Sequence, residues 1–191
     1  ATALVTVDGG FAFAGTTESN GAGLEDLWLV RTDAAGNKLW EKTFGGVKAE
    51  KANSLIAAAG GFVLGGSTMS KGAGQGDIWM IATDTSGIVL WDKILGGGGD
   101  EGGGALLPVA EGFMIAGSTT SKGAGSFDFW LVRTDLMGNV MWDKAFGGAG
   151  QDQALAVVGV ADGIALVGQT YSKGAGNSDA WLVRTDVFGN P

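Results

Sequence analysis

A unit of 51 residues recurs along this chain without insertion or deletion, and that period constrains the architecture more than any single motif. Copies beginning at Gly10, Gly61, Gly112 and Gly163 share a shell of G-x-x-x-x-G-x-T, then S-K-G-A-G, then D-x-W-L-V-R-T-D-x-x-G-N, then W-D-K and G-G. The seven tryptophans fall in two columns, Trp28, Trp79, Trp130 and Trp181 in one and Trp40, Trp91 and Trp142 in the other. Tandem units of this kind bury a shared core by stacking on their neighbours, so one continuous body is expected over residues 1–191.

Each unit carries four short runs, alternating or rich in β-branched and aromatic residues and too short for helices. In the second copy these are strand A, about Ser54 to Ala59, strand B, Phe62 to Thr68, strand C, Ile78 to Asp84, and strand D, Val89 to Leu95. A Gly-Gly or Asp-Gly pair between A and B predicts a tight hairpin. Between C and D, Asp33 to Asn37 and its later copies predict a turn capped by the Asp side chain, with Gly36, Gly138 or Gly189 left-handed. The segment Ala3 to Val7 aligns with strand A of the second unit, and Pro108 falls on an inner strand, where a missing N–H is tolerated.

Four antiparallel strands in a tandem repeat predict an all-β fold, a β-propeller whose blades span about 1–46, 47–97, 98–148 and 149–191. The last blade lacks its strand D. An arc left open in this way exposes apolar faces, so further blades or a second copy of the chain are expected partners at the two ends.

Composition narrows the chemistry. Cys and His are both absent, which removes disulfides, thiolate and Ser-His nucleophiles, the usual zinc sites and the commonest general base. A net charge of −8 argues against nucleic acid, and no apolar run is long enough for membrane insertion. The absence of an initiating Met fits a processed or cut chain.

An up-and-down blade puts the short A-to-B and C-to-D turns at one end and the long B-to-C and D-to-A loops at the other. The long-loop face is therefore the expected ligand-binding surface. On it lie Lys71, Lys122 and Lys173 of the B-to-C loops, and an acidic column of Glu50, Glu101 and Asp152, taken as exposed partners for these lysines. Asp26, Asp77, Asp128 and Asp179, which precede strand C, are candidate calcium ligands, since hard cations take oxygen donors. The stronger reading of that column is structural, an Asp accepting N–H bonds from its own Gly-rich loop. Both Trp columns read as packing between blades, the strand D set being the more exposed. Gly97-x-Gly99-x-x-Gly102 spells a dinucleotide fingerprint but leads into a strand rather than a helix, so it is discarded.

The shell G-x-T-x-S-x-G-A-G-x-x-D-x-W-L-V-R-T-D-x-x-G-N-x-x-W-D-K-x-F-G-G resembles the repeats of secreted or cell-surface bacterial and archaeal β-propellers, most closely the SBBP-type repeat family. The T-D-x-x-G-N-x-x-W piece is also similar to quinoprotein-like propeller repeats. That resemblance implies a propeller, a secreted or cell-surface location and often a larger surface protein, and it carries over no catalytic residue. Quinoprotein enzymes hold a pyrroloquinoline beside calcium and commonly a vicinal Cys pair, and this Cys-free chain departs from that pattern. The expectation is a non-catalytic scaffold or binding module for protein or glycan, with no cofactor. The alternative is the propeller domain of a polysaccharide-acting glycosidase.

Overall fold

The structure, a computed structural model, describes residues 1–58 and 60–191. Among these residues there is no helix, and fifteen strands form four antiparallel sheets in chain order. The first sheet contains β1 (Ala3–Val7), β2 (Gly10–Thr17), β3 (Asp26–Asp33) and β4 (Lys38–Phe44). The second contains β5 (Glu50–Ala58), β6 (Gly61–Thr68), β7 (Asp77–Asp84) and β8 (Val89–Leu95). β9 (Glu101–Val109), β10 (Gly112–Thr119), β11 (Asp128–Thr134) and β12 (Val140–Phe146) make the third. The fourth has three strands, β13 (Asp152–Val160), β14 (Gly163–Thr170) and β15 (Asp179–Thr185).

Every sheet is a meander in which sequential strands pair, as the turn chemistry dictates. In the C-to-D turns, Asp33 Oδ1 accepts the N–H of Ala35 at 2.9 Å and of Asn37 at 2.8 Å, and Gly36 takes a φ of 87°. Asp135 and Asp186 repeat this arrangement with Gly138 and Gly189. The A-to-B hairpins differ from expectation by one residue. The described two-residue turns are Asp8-Gly9, Ala110-Glu111 and Ala161-Asp162, and the repeated glycine that follows each of them, like Gly61 in the second unit, opens the next strand. In the third unit the left-handed place is held by Glu111, at a φ of 59°. Strand A of the second unit also starts earlier than predicted, at Glu50, and the predicted end at Ala59 lies outside the described residues.

The sheets stack face to face. First strands approach one another, β1 with β5, β5 with β9 and β9 with β13, so the sheets converge at strand A and fan out towards strand D. Central strands are consequently apolar on both faces. In β7, Ile78, Met80 and Ala82 pack towards the third sheet while Trp79 and Ile81 pack towards the first. Three such clusters, one per junction, make up the core. Aromatic contacts cross them, with Trp40 against Phe62 at 6.0 Å, Trp91 against Phe113 at 6.4 Å and Phe129 against Trp181 at 4.8 Å between ring centroids. Trp79 and Trp130 are buried, whereas Trp28, Trp181 and the strand D set Trp40, Trp91 and Trp142 are partly buried.

Candidate functional site

At the long-loop end, the acidic column is placed quite differently from the expectation of exposed Lys partners. Glu50, Glu101 and Asp152 are buried, because each carboxylate is saturated by the ends of its own unit's loops. Glu101 Oε1 accepts Thr119 Oγ1 at 2.7 Å and the Ser121 N–H at 3.2 Å, and its Oε2 accepts the Gly97 N–H at 2.6 Å. Glu50 repeats this with Thr68, Ser70 and Gly46, and the shorter Asp152 manages it with Thr170, Ser172 and Gly148. Burial pushes the Glu101 carboxyl up, and the Gly97, Thr119 and Ser121 hydrogen bonds outweigh it and hold the group below its ordinary value.

The second acidic column lies against the first. Asp26 Oδ2 accepts N–H groups of Ala22 at 3.0 Å and Gly23 at 3.3 Å, and Asp128 does the same with Ala124 and Gly125, both in the Gly-rich loop before the strand. A left-handed glycine, such as Gly72 or Gly123, permits that wrap, since a Cβ there would overlap Asp77 or Asp128. The other oxygen turns to the next unit. A Cβ on Gly96 would overlap Asp77 Oδ1 and lie 2.6 Å from Glu101 Oε2, so two carboxylates meet around one glycine at each junction. Asp26 with Glu50, and Asp128 with Asp152, enclose Gly45 and Gly147 likewise. Asp26 Oδ1 and Asp128 Oδ1 are buried without a hydrogen-bond partner. Burial first, then the charges of Glu101 and Asp100, push the Asp77 carboxyl up against the N–H bonds of Gly74 and Ala73. Each Asp of the column therefore ties down its own Gly-rich loop, and its second oxygen faces the acid of the next unit. Glycine fills the space between the paired oxygens, and among the described residues no group of three or more acidic side chains could hold a metal.

The lysines are tied sideways. Lys71 Nζ donates to Asp92 Oδ2 at 2.9 Å and stands 4.3 Å from the Trp79 ring centroid, while Trp79 Nε1 donates to the same oxygen at 2.9 Å. Lys122, Asp143 and Trp130 repeat the triad, and Lys173 stands 5.0 Å from the Trp181 ring. In the first unit Asn20 replaces the lysine, and Lys38 instead pairs with Glu41, which accepts Trp28 Nε1. Burial raises and the Lys71 and Trp79 hydrogen bonds lower the Asp92 carboxyl, with a net depression.

What remains open to a ligand at this end is a groove of about 430 Å³ between the first strands of the second, third and fourth sheets. Lys51, Asn53, Asp100 and Gln153 are among its polar side chains, together with Ser67, Ser118 and Glu101 of the repeated columns, and Met69 and Leu155 line it as well. Each of β5, β9 and β13 carries a bulge here, between Ala52 and Ser54, Gly103 and Ala105, and Ala154 and Ala156. The extra residues are Asn53, Gly104 and Leu155. Asn53 and Leu155 are thereby turned out of the ladder and exposed, as bulges beside functional sites do. Lys51 is held loosely, its Nζ 3.6 Å from Glu25 Oε2.

Sequence reasoning missed this groove because it followed the columns that repeat. Several columns lining the groove do not, being Lys51, Gly102 and Gln153 at one level, Asn53, Gly104 and Leu155 at the next, and Ala49, Asp100 and Gln151 at the loop. The burial of Glu101 did carry a signal, the Thr and Ser columns at Thr119 and Ser121 that recur with it. No protein-family model matches this chain, and no curated protein matches it either.

Proposed function

We propose that this chain is a non-catalytic β-propeller module of the SBBP type, secreted or displayed at a cell surface, which binds a polar glycan or polypeptide segment in the groove at its long-loop end. One observation carries the reading: a symmetric frame surrounds an asymmetric lining. The buried acids, their Thr and Ser donors and the Trp-carboxylate contacts repeat from unit to unit, whereas Lys51, Asn53, Asp100 and Gln153 break the repeat in the groove at the long-loop end. A scaffold that holds variable side chains on bulges and loops is the usual physical form of a recognition surface. The fan of sheets converging on their first strands supports the propeller reading. The glycosidase alternative gains no support, since both oxygens of Glu101 already accept hydrogen bonds within the frame.

The test is a screen of the immobilised chain against oligosaccharide and peptide arrays, followed by titration of any hit. The combined variant Lys51→Ala, Asn53→Ala and Asp100→Ala should weaken binding at least about tenfold, the loss of one or two good polar contacts. Replacing Lys71, Lys122 and Lys173 by Ala should leave it unchanged. Equal binding by the groove variant would overturn the assignment of this site.

A further inference from the structure

The two terminal sheets each present a face that is apolar and uncovered. On the fourth sheet it comprises Ala156, Val158, Val160, Val167 and Leu182. Each stands one period after a residue packed against the following sheet. Leu182 is 65% exposed, yet Leu131, Met80 and Leu29 at the same place are 0% exposed. On the first sheet the outward face carries Leu4, Phe11, Phe13 and Trp28, whose later equivalents pack against the preceding sheet. Leu4 is 65% exposed where Leu55 is 5%, and Phe13 is half-buried where Leu64, Ile115 and Leu166 are buried. The ends of the chain are thus the two unlike halves of a junction that the molecule already makes three times.

We propose that the outward face of the fourth sheet binds the outward face of the first sheet in a second copy of this chain, head to tail. The internal junctions supply the fit. Across them an apolar ridge from strands B and C of one sheet meets the Phe and Trp of the next, and small hydroxyl residues near strand A add hydrogen bonds between sheets. Thr2 Oγ1 donates to the Ala52 carbonyl at 2.9 Å, and Ser118 Oγ accepts the Ala154 N–H at 3.2 Å. Phe13 and Trp28 are already set edge to face at 5.9 Å, the pair that a neighbour's Leu182 would meet. Contact within one chain does not satisfy these faces, since both Leu4 and Leu182 stay exposed. Because the halves are unlike, the junction is heterologous, and two copies can use both ends at once if the rotation closes. The same two faces could not pair like with like and reproduce the register of the internal junctions.

Sedimentation equilibrium and light scattering over the micromolar range test this, at moderate salt so that the net charge of −8 per chain is screened. A concentration-dependent doubling of mass, or a longer head-to-tail series, is the expected result. Leu4→Lys and Leu182→Lys each lie on the surface of the single chain, so both should fold, with unchanged circular dichroism and a mass of one chain. Mixed together they should form a one-to-one dimer, because one intact head and one intact tail remain. A wild-type chain that stays monomeric throughout would overturn the proposal. So would association that survives Leu4→Lys, which would mean that tail meets tail.

Discussion

Leu131 and Leu182 occupy the same position of the same strand in consecutive units, and one is sealed while the other is two-thirds exposed to solvent. The contrast extends over the whole junction. Where sheets meet, the central strands are buried on both faces and the carboxylate pair is enclosed. At the outward face of the fourth sheet, Asp179 is only partly buried and Val158, Val167 and Leu182 are open. A unit of this kind does not possess a core of its own; it possesses half of two cores. Stability in such an array is a sum over junctions, and the same side chain contributes according to its neighbour.

The largest expected effect separates the two leucines. Leu131→Ala should lower the unfolding free energy by about 2–5 kcal/mol, whereas Leu182→Ala in the dissociated chain should change it by no more than about 0.5 kcal/mol. Urea denaturation of both variants at low protein concentration measures the difference, and equal losses would mean that the terminal face is covered. Next comes the buried acid of the junction. Glu101→Ala should cost about 1–3 kcal/mol, through the Thr119 hydroxyl and the Gly97 and Ser121 N–H groups left without an acceptor, and fluorescence-monitored unfolding would register it.

The carboxylate pairs make the comparison depend on pH. Glu101, Asp152, Asp92 and Asp143 are held below their ordinary values, so their stabilisation is present above the unfolded carboxylate range and is lost as pH falls through their folded values. Asp77 runs the other way. Its folded value is raised, so its contribution is present in acid and lost as pH rises through that value. Asp77→Asn should therefore gain stability relative to the parent as pH is raised from about 4 to about 8, which urea midpoints across that range would follow. A constant offset between the two would mean that burial and the nearby Glu101 do not raise the Asp77 carboxyl. The smallest effect belongs to the half-exposed lysines: Lys122→Ala should shift stability by about 1 kcal/mol or less, read as a small displacement of the thermal midpoint.

Much of the frame was legible in the residues. The 51-residue period, the D-x-x-G-N turns and the four short alternating or β-branched runs in each unit predict four meanders and their order, since backbone hydrogen bonding and turn chemistry are local. The hairpin register was one residue off, because the repeated glycine opens a strand rather than ending a turn. Side-chain partnership was harder to see. Lys71 and Glu50 belong to the same long-loop end, yet Lys71 bonds Asp92 on the far strand of its own sheet. The triad left a trace only in the replacement of that lysine by Asn20 where Lys38 takes over.

Sequence by itself determined the units, their strands and their tandem stacking, because periodicity and turn residues act over a few positions. Only the tertiary structure decided that Glu50, Glu101 and Asp152 are buried clamps, that bulges turn Asn53 and Leu155 into a groove, and that identical leucines differ in exposure. These depend on what the neighbouring sheet places opposite each side chain, and burial is a property of that pair of surfaces rather than of either strand alone.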